Sequence, residues 1–512
     1  MKILARRLGL CSLVATLAIT FLATANTASA QGSICAEGGG SLAADEWAAP
    51  AFEWMARAAR RNGAAVERNQ LRVVILGNLD EGQAAPTQQQ LDEMGDETAA
   101  RFKALGVASV RQLYINTANA SDTDIADAIR AADIVWCRGG SQSRYCANWN
   151  GTPVEDAIRA VFDRGGVIGG TSAGCAILGE FIYDARGGSC DTSTALRDPF
   201  AEEISFTTDF LNLTPNVLFD THFTERARIG RLAVYLARLR AEHRRLVLGV
   251  GVDARTALCI GPDGEAEVFG TGAVCLMHLT PDSRHTIEPA KGTWPTPPAV
   301  TDIEVRQLVA GQKLNIRDLS TALTKLSADL PDRATPAPTY IKEADRTDTL
   351  FVRGDATQHA QRGLHFIPAD AAKDALWKGT LSLGDGTNEL PDAILATRTL
   401  SLRERTQNAA GGVLWGLTTT DARWATFLDA GAALRMTDDG SLESYFPHGK
   451  LGAAMASPVF VKTERFAKGP KPPGPRQSCA FDGVRMHVLP PLWRFDPSTS
   501  HASPPTQSLR AR

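Results

Sequence analysis

Gly170-Thr171-Ser172-Ala173-Gly174 carries the strongest chemical signal in the chain. The spacing G-x-S-x-G, set between an apolar run at 167–168 and the start of a helix, describes a nucleophile elbow. A sharp turn holds the serine in a strained conformation, so the residues on either side must be small. The helix that follows presents free N–H groups and the positive end of its dipole. The N–H of Ala173 is then the natural first donor of an oxyanion hole. Asp220-Thr221-His222-Phe223 follows a predicted strand at 217–219, which puts His222 at a strand end where it can accept the serine proton. Gly139-Gly140-Ser141-Gln142 follows a strand ending at Cys137. Its paired glycines let backbone approach a bound group closely, and Gln142 adds a side-chain donor.

The elements that must position these loops alternate in kind. Strands are predicted at 34–36, 71–76, 110–115, 134–137, 167–168, 217–219 and 246–252. Helices are predicted at 43–61, 91–105, 122–132, 154–164 and 225–240, and antiparallel strands at 256–279. That alternation specifies an α/β fold, a mostly parallel sheet with helices on both faces. Its strands are short and apolar on both sides, as a doubly covered sheet requires. Ligands of such sheets sit beyond the carboxyl ends of the strands, where all three loops fall. The strand before His222 is expected in the same sheet as the elbow.

Lys2, Arg6 and Arg7 precede an apolar run that ends in Ala28-Ser29-Ala30. This is the three-part pattern of a secretory signal over residues 1–30, too short and too abruptly ended for a good membrane span. Its removal takes three positive and no negative charges from a chain of formal net charge -3. The remaining chain is mildly acidic and lacks the clustered Lys/Arg with interleaved aromatics of a nucleic-acid surface. Eight cysteines remain after Cys11 is lost, an even number that predicts disulfides in an exported protein. Cys137 and Cys146 flank the Gly139–Gln142 loop and are expected to staple it. No CxxC, Cys/His spacing or HExxH is present, so neither a metal nor a cofactor is expected.

Three motifs occur in order: the Gly-Gly-x-Gln loop, the Gly-Thr-Ser-Ala-Gly elbow and Asp-x-His-Phe-x-x-Arg-x-Arg-x-x-Arg-Leu. A fourth, Gly-x-Gly-x-Asp-x-x-Thr-Ala, spans 249–257. Together they resemble cyanophycinase and its relatives, serine exopeptidases that include aspartyl dipeptidases, whose fold is similar to class I glutamine amidotransferases. The resemblance covers residues 33 to 317. It implies Ser172 as nucleophile and His222 as base. It assigns Gly140, Gln142, Ala173, Asp220 and Thr221 to the oxyanion and substrate-binding region, and Arg226, Arg228 and Arg231 to substrate. These arginines crowd the first turns of the helix predicted at 225–240, where the dipole disfavours positive charge. That placement points to a bound anion, although some of them could instead brace the loop by salt bridges.

The implied reaction is exo-cleavage of cyanophycin, a poly-aspartate bearing arginine on its side chains, to β-Asp-Arg dipeptides outside the cell or in the periplasm. The chain departs from the family in having Thr221 where Gln is frequent and Ala254 where an acidic residue often follows the aspartate. Asp253, the nearest remaining carboxylate at a strand end, is then the candidate third triad member.

Three other readings compete. A related aspartyl peptidase or dipeptidase would keep the serine mechanism. An α/β-hydrolase esterase shares the elbow but places its acid between Ser and His, unlike the order here. A non-catalytic binding protein could retain the fold. Residues 31–318 make the hydrolase domain, 319–493 a β-rich C-terminal domain, and 494–512 a disordered tail. The C-terminal domain suits either docking on a polymer or packing as an extension of the first. The partner expected is a polymeric or peptidic aspartyl substrate; nucleic acid and stable membrane insertion are not expected, and a homodimer is allowed.

Overall fold

The computed structural model describes residues 31–42, 46–289 and 295–330, and shorter stretches between 351 and 504. The predicted leader lies outside the described residues. Among them, no helix is long and apolar enough to cross a membrane.

Five parallel strands form the heart of the first sheet, in the order Ser33–Glu37, Val167–Thr171, Ile134–Cys137, Arg72–Asn78 and Ser109–Ile115. Antiparallel strands Thr256–Ile260, Glu265–Gly270 and Lys313–Asn315 extend it beyond Ser33–Glu37. Alternation along each central strand feeds two cores. Cys35, Val73, Ile75, Ile134, Trp136 and Val167 pack on Phe52, Met55 and Phe102 of helices Ala49–Ala58 and Glu97–Ala104. Ile34, Val74, Leu76, Val135 and Ile168 face Ile129, Ile158 and Val161 of helices Thr123–Arg130 and Pro153–Asp163. The parallel sheet with helices on both faces is therefore present, for the reason its doubly apolar strands indicated.

A second sheet carries the histidine, contrary to the expectation of one sheet for elbow and base. Strand Thr214–Thr221 lies between Leu248–Val252 and Gly179–Tyr183, parallel to both. This sheet continues antiparallel through Ala273–Leu279, Ala299–Val309, Phe481–Leu489 and Ser457–Lys468. The C-terminal strands thus extend a sheet begun in the N-terminal part, and one core cluster runs from Ile34 to Ala502. A further five-stranded sheet includes Arg494–Asp496 and His501–Ser503, so the first residues of the expected disordered tail are paired strand. Residues 505–512 lie outside the described residues.

Three helices start, break or end elsewhere than predicted; the one expected at 43–61 runs Ala49–Ala58, and Arg60–Arg61 is strand. The stretch 91–105 is divided into Gln88–Met94 and Glu97–Ala104, with Gly95 between them at φ 63°. The helix predicted at 225–240 runs Ile229–His243. Residues 222–228 instead form a loop with positive φ at His222 (45°) and Ala227 (51°).

Candidate active site

Ser172 sits at φ 52°, ψ -113°, between strand Val167–Thr171 and the short helix Ala173–Ala176. Such a backbone is costly for a residue with a side chain, and its surroundings have to hold it. The Ser172 N–H donates to the Glu37 carbonyl at 3.0 Å, tying the turn to the neighbouring strand. Gly174 is required by close approach, since a Cβ there would stand 2.1 Å from the Cys137 carbonyl oxygen. The Gly139-Gly140 loop passes over the serine: a Cβ on Gly139 would lie 3.5 Å from Ser172 Cβ, and Gly140, at φ 134°, faces open space. Gln142 donates its Nε2 to the Tyr183 carbonyl at 3.3 Å.

His222 reaches the serine from the second sheet. Its Nε2 lies 2.9 Å from Ser172 Oγ, and its Nδ1 lies 2.6 Å from Glu225 Oε1. With the proton on Nδ1 directed at the carboxylate, Nε2 is the acceptor for the serine hydroxyl. The other Glu225 oxygen accepts the Ala254 N–H at 2.9 Å. Burial lowers the His222 imidazole below its ordinary 6.5; Glu225 opposes this, while Arg226 and Arg228 push the same way as burial. The ring is therefore held neutral and able to take a proton at neutral pH.

The carboxylate beside His222 is Glu225 and not Asp253. Both Asp253 oxygens are taken by backbone N–H groups, Thr224 and Ala273, each at 2.9 Å. Burial pushes the Asp253 carboxyl up to about 7, against those two hydrogen bonds. Asp253 pins the loop that carries His222 and Glu225 to strand Ala273–Leu279. The signal for Glu225 was in the sequence: a glutamate three residues past the histidine, opposite a position 254 that lacks an acid.

Asp220 and two of the three arginines form a buried brace beneath this loop. Arg231 grips Asp220 with Nε at 2.9 Å and with its second nitrogen, and it also donates to the Cys190 carbonyl. Its guanidinium lies over the rings of Tyr183 and Tyr235, 5.0 and 5.6 Å from their centroids. Arg228 donates to the Thr221 carbonyl at 2.6 Å and stands 3.6 Å from Asp220. Burial would raise the Asp220 carboxyl, but Arg231 and Arg228 outweigh it and hold it below its ordinary value. Burial brings Arg228 down to about 9, with Arg231 adding to the effect. Asp220, Thr221, Arg228 and Arg231 are thus occupied internally rather than facing a substrate. The dipole argument fails with them: Arg226 and Arg228 precede the helix, and Arg231 answers to Asp220. Arg226 is the half-buried one, close enough to His222 for its charge to act on it.

The tripeptide Gly38-Gly39-Gly40, for which the sequence offered no role, joins these parts. The His222 N–H donates to the Gly38 carbonyl at 2.9 Å and the Arg255 N–H to the Gly39 carbonyl at 2.6 Å. A Cβ on Gly39 would lie 2.2 Å from the His222 ring, so only glycine leaves room for the base. Just before it, burial pushes the Glu37 carboxyl up to about 8, with the Thr171 side chain and Gly39 backbone opposing.

All eight cysteines from Cys35 to Cys479 are buried, and none is bonded to another in this structure. Cys137 and Cys146 do not staple the Gly139–Gln142 loop. The Cys146 thiol instead meets the Thr207 side chain and lies within the field of Asp184 and Arg186. Among the described residues no group of three or more His, Cys, Asp or Glu could hold a metal ion.

The model of peptidase family S51 matches residues 84–264. Cyanophycinases from Trichormus variabilis and from a Nostoc species are each 32% identical over 232 residues, 44% of this chain and 72% of theirs. A cyanophycinase from Synechococcus elongatus is 31% identical over 205 residues, 39% of this chain and 60% of its own. The crystal structure of a peptidase from an acI-B1 Actinobacterium is 14% identical with a TM-score of 0.37, covering 56% of this chain and 97% of that one. The stretch shared with the two 32% identical relatives contains most of each of them, and the chain belongs to peptidase family S51 and is a serine-type peptidase.

Proposed function

We propose that this chain is an exported exopeptidase that cleaves cyanophycin to β-Asp-Arg dipeptides through an acyl-enzyme on Ser172. The observation that carries the mechanism is the hydrogen-bonded run Ser172–His222–Glu225, at 2.9 and 2.6 Å. Ser172 Oγ attacks the scissile carbonyl carbon as its proton passes to His222 Nε2. Glu225 stabilises the imidazolium and fixes the ring's tautomer. The N–H groups of Gly140 and Ala173 are the donors for the developing oxyanion. His222 then gives its proton to the leaving amine, and a water activated by the same nitrogen releases the acyl group.

The substrate reading rests on the relatives named cyanophycinase and on Arg226. A planar guanidinium suits the free carboxylate that every arginine branch of that polymer carries. The occupation of Arg228 and Arg231 by Asp220 favours a second reading, an aspartyl peptidase that needs fewer cationic contacts. Incubating the protein with purified cyanophycin and identifying soluble products by mass spectrometry separates the two. Release of β-Asp-Arg supports the first. Intact polymer beside cleaved aspartyl dipeptides refutes it and leaves the serine mechanism.

A further inference from the structure

Cys35 and Cys259 stand opposite each other on the antiparallel strands Ser33–Glu37 and Thr256–Ile260. Their sulfurs are 3.5 Å apart, and both residues are fully buried. The Gly38 N–H donates to the Thr256 carbonyl, one step beyond the Glu37–Ala257 pair. Hydrogen-bonded and non-hydrogen-bonded pairs alternate along such a ladder, so Cys35 and Cys259 form a non-hydrogen-bonded pair. That is the closer kind, with Cα atoms typically about 4.5 Å apart. A disulfide spans Cα separations of about 4.4–6.8 Å, so rotation of the two side chains can bring the sulfurs to bonding distance without moving either strand.

We infer that Cys35 and Cys259 form a cross-strand disulfide when the chain folds in an oxidising environment, closing a loop that contains Ser172, His222 and Glu225. One thiolate attacks a disulfide oxidant of the glutathione class and releases one thiolate of it. The second cysteine displaces the other half, so two protons and two electrons leave the pair and the oxidant becomes two thiols. Burial pushes the Cys259 thiol well above its ordinary value. Exchange therefore precedes closure of the strand pair, while the thiolate is still accessible. The link fixes the strand whose end accepts the Ser172 N–H at Glu37, and the turn that accepts the His222 N–H at Gly38. Among the described residues no other two sulfurs make such a contact.

The test is refolding of the full chain with oxidised and reduced glutathione, then alkylation with iodoacetamide in denaturant without reductant and peptide mapping. The expected product is a peptide joining Cys35 to Cys259, with a mass two hydrogens below the reduced chain and the other cysteines alkylated. Its thermal midpoint should fall by several degrees on reduction. In Cys35→Ala the joined peptide should vanish and Cys259 should alkylate. A refolded wild-type chain that alkylates at both positions, or that joins a different pair, overturns the inference. Mapping the protein from its own host tests the export reading separately. A reduced native protein beside a linked refolded one would sink export and leave the pair standing.

Discussion

Replacing Glu225 by Gln keeps the shape of the side chain and removes the charge that faces His222 Nδ1 at 2.6 Å. The amide can present either its oxygen or its NH2 to the ring. If it presents the NH2, Nδ1 must become the acceptor and the proton moves to Nε2, where it blocks acceptance from Ser172. If it presents the oxygen, the tautomer survives but the imidazolium loses its counter-ion. The Ala254 N–H claims an acceptor from the same group, which biases the amide towards the harmful orientation. Loss of the acid in a serine triad costs up to about 10⁴ in kcat. A fall of about 10²–10⁴ here corresponds to about 3–5 kcal/mol of transition-state stabilisation. The matched control is Asp253→Asn, which turns one backbone-accepting oxygen into a donor facing an N–H. That change costs about 1–3 kcal/mol of stability and leaves kcat within about tenfold. The assay is steady-state hydrolysis of an aspartyl peptide, normalised to serine reactive with a fluorophosphonate, with a thermal melt of each variant. Glu225→Gln at near wild-type kcat, or a folded Asp253→Asn as inactive as Glu225→Gln, would refute the assignment.

Ser172→Ala and His222→Ala should each abolish hydrolysis while a chelator leaves the wild type active, read by the same peptide assay. Because the folded-state His222 lies below 6.5, the base stays competent to that lower pH, and kcat/KM should fall only as pH drops through a value under 6.5. A pH profile with its acid limb above 6.5 would contradict this. The Glu37 carboxyl sits at about 8 in the fold against 4.5 ordinarily, so the folded state holds an extra proton. Its contribution to stability is full below 4.5 and is lost as pH rises through about 8. Wild-type melting temperature should therefore drop across that range more than that of Glu37→Gln, and equal slopes would count against a buried neutral carboxyl. Arg231→Leu leaves buried Asp220 with Arg228, at 3.6 Å, as its remaining cation and should cost about 3–5 kcal/mol of stability, whereas Arg226→Ala should chiefly raise KM for carboxylate-bearing substrates; differential melts and Michaelis curves distinguish them.

The local chemistry of the elbow was legible in the sequence. Small residues around Ser172 are demanded by contacts with the next strand, and a strand-to-helix context is visible in hydrophobic periodicity. The doubly apolar strands at 73–76 and 134–137 likewise announced a sheet covered on both faces, because nothing else buries both sides of so short a run. The arginines were legible as residues that need an anion, but for Arg228 and Arg231 the anion proved to be Asp220, eleven positions before Arg231, and no periodicity reports which buried charges find each other. Which carboxylate meets His222 turned on the conformation of a seven-residue loop. A positive φ at His222 and Ala227 delays the helix to Ile229, and this brings Glu225 against the ring while Asp253 turns to two backbone N–H groups.

Residue type and spacing along the chain marked Ser172 and His222 as the candidate nucleophile and base and determined the layers of the core, since each of these signals depends on neighbours close in sequence. The tertiary structure alone decided that elbow and base come from two different sheets, joined at Gly38-Gly39-Gly40. It also decided that the C-terminal strands complete the second sheet through pairing of Ala299–Val309 with Phe481–Leu489. The physical reason is that strand pairing and buried charge pairing are satisfied across long sequence separations. There, any unpaired N–H or carboxylate accepts whichever partner the packing brings within reach.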